Sequence, residues 1–87
     1  MRLENKAMMQ FLKAHGIIAK AKYIPGGSLK HTWSLYGADQ TWTMELAERL
    51  NSLGFLGFDD RPLGRHSGNG GRFSVFVRGH NELLTNK

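Results

Sequence analysis

The sequence predicts an α+β fold in the order α-β-β-α-β-β, an antiparallel sheet with two helices packed on one of its faces. Three observations carry that expectation. Residues 3–12 and about 41–53 repeat apolar side chains at helical spacing, residues 17–24, 29–36 and 73–78 carry the composition and alternation of strands, and glycine or proline separates the segments. The 87 residues suit one small domain, 1–87. An apolar content of 40%, with five Phe, two Trp and two Tyr, exceeds what a disordered chain carries.

The first helix follows from Leu3, Ala7, Met8, Phe11 and Leu12 on one side, with Arg2, Glu4, Asn5, Lys6, Gln10 and Lys13 on the other. His15 suits the negative end of its dipole, and Gly16 suits the left-handed conformation that closes a helix. The stretch from Ile17 to Ile24 is β-branched and aromatic, Pro25-Gly26-Gly27-Ser28 is turn chemistry, and Leu29 to Tyr36 resumes the alternation, so a β-hairpin is expected. A three-residue loop pairing Ile24 with Ser28 sets Ile17, Ala19, Ala21 and Tyr23 beside Leu29, His31, Trp33 and Leu35. The opposite side then gathers Lys20, Lys22, Lys30, Thr32, Ser34 and Tyr36. A two-residue loop would move Lys20 and Lys22 beside Trp33 and Leu35, which the pleat penalises.

Asp39 or Thr41 can cap a second helix running from about Thr41 to Leu53, with Trp42, Leu46, Leu50 and Leu53 as its stripe and Gly54 at its exit. Phe73, Val75 and Val77 alternate with Ser74, Phe76 and Arg78 in a strand expected to pair with Phe55 to Phe58. Asp59 to Gly71 forms the long connection between them, and a short helical turn is expected after Gly79. Because hairpins make the sheet antiparallel and both helical stripes need covering, one sheet face is expected dry and the lysine-bearing face wet.

Several chemistries are excluded by residue type or spacing. Without cysteine there is no disulfide, thiolate zinc site or cysteine nucleophile. The run from Leu50 to Phe58 falls far short of the roughly 18 apolar residues that span a bilayer, and the charged N-terminus lacks a secretory apolar region, so a cytoplasmic protein without membrane contact is expected. His15, His31, His66 and His80 have no spacing that places two on one helical face, so no metal is expected. Trp33 and Trp42 fall on apolar periodicities and are expected in the core. Asp59-Asp60 reads as a turn, and Glu45 with Glu48 as a solvated helix face.

Twelve Lys and Arg against seven Asp and Glu give a net charge of +5, which favours an anionic partner. Two clusters could meet one. On the hairpin face, Lys20, Lys22 and Lys30 offer ammonium groups that release phosphate counterions, and Thr32, Ser34 and Tyr36 offer hydroxyl donors. A solvated outer face whose lysines discourage edge pairing is the competing explanation. Tyr36 is the one aromatic assigned to that face. In the connection, Arg61, Arg65 and Arg72, with the adjoining Arg78, surround a glycine-rich stretch whose amides could converge on an anion. It lacks the Gly-Lys-Ser or Gly-Lys-Thr ending of a P-loop, and a strand rather than a helix follows it, so no nucleotide cofactor is expected.

Gly26-Gly27-Ser28-Leu29-Lys30-His31-Thr32-Trp33, preceded by an amphipathic helix and a strand, resembles the HicA toxins over residues 1–37. The resemblance implies a double-stranded-RNA-binding-like domain that cleaves messenger RNA, with His31 as its base. The sequence departs from that pattern in two places: Leu29 and Lys30 separate the Gly-Ser turn from the histidine, and the family's third strand before its second helix has no counterpart. The reading adopted is a non-enzymatic accessory protein that contacts the DNA or RNA backbone through the hairpin lysines and the arginine-bearing loop. A protein-binding adaptor or inhibitor of a mobile element is the first alternative, and a HicA-like nuclease the second.

Overall fold

The computed structural model describes residues 3–24, 32–37, 40–68 and 73–79. Helix α1 spans Leu3–Ala14, followed by strands β1 (Lys20–Ile24) and β2 (Thr32–Gly37), helix α2 (Met44–Ser52), the short strand β3 (Leu56–Gly57), a 3₁₀ turn (Arg65–Ser67) and strand β4 (Phe73–Arg78). The four strands form one antiparallel sheet in the order β1-β2-β4-β3. The α+β class and the order of elements agree with the sequence reading.

Both helices end in the same way. At α1, Ile17 N–H donates to Leu12 O and Gly16 N–H to Lys13 O; at α2, Phe55 N–H donates to Leu50 O and Gly54 N–H to Asn51 O. These are Schellman closures. They need a left-handed residue just past the helix, supplied by Gly16 at φ 80° and Gly54 at φ 101°. Each also brings an apolar pair inside, Leu12 with Ile17 and Leu50 with Phe55, and all four side chains are fully buried. The sheet lays Ala21, Trp33, Leu35, Phe73, Val75 and Val77 into this same core, so both helices cover one sheet face. Trp33 and Trp42 are both core residues, as expected.

Two local expectations are corrected. The cap of α2 is Thr43, whose Oγ1 accepts the Leu46 N–H at 3.1 Å, and not Asp39 or Thr41. Trp42 therefore precedes the helix, and with buried Ala47 it occupies the two positions of a hydrophobic staple. The hairpin register pairs Ile24 with Thr32, Tyr23 with Trp33, Ala21 with Leu35 and Lys20 with Tyr36, a stagger four residues from that of a three-residue loop. An even shift preserves which face each side chain occupies, so Lys20 and Lys22 still lie opposite the Trp33 face. The observed stagger sets Tyr23 edge-on to Trp33 with ring centroids 4.9 Å apart, an aromatic pair that the expected register forgoes. The Pro25-Gly26-Gly27 turn and the segment after Gly79 lie outside the described residues.

The free edge of β1 is partly closed by side chains. Asn5 Oδ1 accepts the Tyr23 N–H at 2.8 Å and Gln40 Oε1 accepts the Ile18 N–H at 3.0 Å, giving backbone donors near that edge partners that need no further strand. The helix-covered face and this edge are thus occupied, and among the described residues no element lies over the outer sheet face.

Candidate functional site

Strand alternation fixes what stands on the open face. With Ala21, Leu35, Val75 and Val77 turned inward, the rows opposite run Lys20–Tyr36–Ser74, then Lys22–Ser34–Phe76, then Thr32–Arg78–Leu56 across adjacent strands, and the expectation of a Thr32 hydroxyl on the wet face is corrected, since Thr32 is only 1% exposed. Tyr36 is 41% exposed and Phe76 54%, and Phe58, one residue beyond the β3 pairing, is 50% exposed. Tyr36 is therefore not the only aromatic of the face. Phe76 was missed because the pattern of β4 gives its two faces but not its neighbour. Once β4 lies beside β2, its outward phenylalanine falls diagonally across from Tyr36, about 7–8 Å away in such a sheet.

The exposed aromatics differ from the more buried ones in having no aromatic partner among the described residues. Tyr23 packs on Trp33, and Trp42 on Phe73 with centroids 5.7 Å apart. Among the described residues, none of Tyr36, Phe58 and Phe76 contacts another ring. Three unpaired rings with Leu56 on one open face amount to an apolar patch rimmed by charge, the pattern of an interaction surface.

The long connection is fastened to α2 and meets the sheet beside β3. Asn51 grips Leu63 from both sides, accepting its N–H at 2.7 Å and donating Nδ2–H to its carbonyl at 2.9 Å, and Leu63 is buried. Trp42 Nε1–H donates to Gly64 O at 2.8 Å, and Ser67 Oγ accepts the Gly64 N–H at 3.0 Å. Gly68 lies against the indole so closely that a Cβ there would stand 2.5 Å from two ring carbons. Gly64 and Gly68 have φ of −143° and −121°, so neither has the positive φ expected of an anion nest, and Gly68 is required by close approach instead. The result is a groove of about 390 Å³ lined by Gly57, Phe58, Asp59, His66, Ser67 and Phe76, where loop and sheet meet. Its floor turns tightly: Gly57 N–H donates to Arg61 O, Asp60 N–H donates to Gly57 O, and Asp60 sits at φ 67°, the left-handed position that closes a three-residue hairpin loop.

The candidate cations separate into three groups. Lys20 and Lys22 are exposed on the open face, and Arg65 is exposed at the 3₁₀ turn; among the described residues none of the three has an ion-pair partner. Arg78 shares the open face, but its guanidinium is held by Asp60, and Arg61 lies 3.6 Å from Asp59 in an exposed pair. An exposed pair of that kind holds its partners weakly, at about 0–1 kcal/mol, so Arg61 can still turn to another anion. Lys30, Arg72, His31 and His80 lie outside the described residues. Among the described residues no three His, Asp or Glu side chains converge as a metal site, and no helix is long and apolar enough to cross a membrane. Neither a family model, nor a curated protein, nor a solved structure matches this chain.

Proposed function

We propose that this protein is a non-enzymatic nucleic-acid-binding accessory domain whose ligand lies across the open sheet face. The observation that supports the reading best is the coincidence of Lys20 and Lys22, without ion-pair partners among the described residues, with exposed Tyr36 and Phe76 on a face that no other described element covers. Alternate residues of a strand stand about 6.8 Å apart, a separation comparable with one nucleotide step of an extended backbone, so the two ammonium groups can meet successive phosphates. Arg65 supplies a third contact from the loop.

A salt titration tests this. With about three phosphates neutralised, log affinity for a short oligonucleotide should fall against log salt with a slope of roughly −2 to −3, and Arg65→Ala should make that slope shallower by about 1. Absence of binding at about 50 mM salt would favour the other reading of the same patch, a protein-binding adaptor that covers Tyr36, Leu56, Phe58 and Phe76.

A further inference from the structure

Resting on the proposal that the open face binds nucleic acid, we infer that the ligand is single-stranded and that one base enters the groove between Phe58 and Phe76. The two rings line the same groove, each about half exposed and neither spent on another ring. A ring in that state gains most from a flat aromatic partner. In a duplex the base faces are already covered by their neighbours, so a stacking platform selects bases that have been unstacked.

The polar groups of the groove suit the edge of a base. Asp59 lines it, and its carboxylate, 3.6 Å from the Arg61 guanidinium and accepting the Arg61 N–H, has lone pairs left to accept from an exocyclic amine or ring N–H. Ser67 Oγ already accepts from the Gly64 amide, which leaves its hydroxyl hydrogen to donate to a base carbonyl. His66 stands at the same rim. The lysines, by contrast, lie on β1 at the far side of the sheet, and four strands at roughly 4.8 Å spacing put about 14 Å between the two edges. Lys20 and Lys22 thus meet the backbone at β1, the strand crosses to the groove at β3 by way of Tyr36 and Phe76, and Arg65, next to the groove residue His66, is placed for the backbone of the inserted nucleotide.

The test uses the full chain and three labelled probes at fixed low salt: a single strand of roughly 10 nucleotides, the duplex of the same length, and an abasic backbone of the same charge. The single strand should bind at least about tenfold tighter than either of the others. Phe76→Ile keeps an apolar, strand-favouring side chain while removing the aromatic plane, and should weaken single-strand binding by roughly 5- to 150-fold without altering the salt slope or the affinity for the abasic backbone. Phe58→Leu should act in the same sense, and Phe76→Trp should preserve binding. Equal affinity for strand and duplex, or no loss with Phe76→Ile while the salt slope persists, would overturn the stacking inference and leave the phosphate-binding reading standing. Failure to bind any of the three probes would overturn both and assign the patch to a protein partner.

Discussion

Trp42→Ala is expected to remove about 3–5 kcal/mol of stability, a large part of the roughly 4–13 kcal/mol usual for a domain of this length. Three losses combine. The indole is buried in the shared core against Phe73, its Nε1–H is the donor to Gly64 O, and its face is the surface on which Gly68 rests. Urea unfolding followed by far-UV circular dichroism would measure the effect. Trp42→Phe retains most of the packing and removes the donor, so its cost should be nearer 1 kcal/mol, expressed first as faster amide exchange across residues 63–68. Gly68→Ala should show the same local signature from the opposite direction, because its Cβ has no room against a ring that neighbouring contacts hold in place.

Charge reversal at Lys20 and Lys22 should have the largest effect on binding. A single phosphate contact with a slope of −0.7 to −0.9 contributes roughly tenfold in affinity between about 1 M and 50 mM salt, so losing two contacts removes about 100-fold and adding two carboxylates removes more. Lys20→Glu with Lys22→Glu should therefore abolish measurable binding at low salt, the loss shrinking as salt is raised. Both side chains are exposed and pair across the strand with Tyr36 and Ser34, so the unfolding midpoint should hardly move. Retention of full affinity would transfer the phosphate contacts to Arg61 and Arg65.

Much of this molecule was legible in its residues because the rules involved are local. The spacing of Met8 and Leu12 and the glycine at position 16 specify α1 and its end, and the alternation of β4 specifies which of its side chains lie inside. The stagger of the hairpin was not legible. Alternation penalises odd slips, which turn lysines into the core, but is indifferent to even ones, so the choice fell to a cross-strand contact, Tyr23 on Trp33. The start of α2 was obscured for a related reason: Trp42 fits the helical stripe of Leu46 and Leu50 while serving as the residue before the cap. In the candidate site, the two lysines were visible as a pair on one face. The aromatic half was not, since Phe76 and Phe58 join Tyr36 only through pairings among β2, β4 and β3 that are distant in sequence. The role of Gly68 was likewise hidden, because a requirement for no Cβ depends on which side chain approaches it.

The most direct measurement is an NMR titration of the isotopically labelled protein with a short single-stranded oligonucleotide at low salt. The account predicts that shifts concentrate on Lys20, Lys22, Tyr36, Phe76 and the groove residues Phe58, His66 and Ser67, with the aromatic proton signals of Phe58 and Phe76 moving upfield as a base stacks over them. Residues of the helical surface such as Lys13, Glu45 and Glu48 should stay still. Perturbations centred on that helical surface, or none at saturating oligonucleotide, would contradict it.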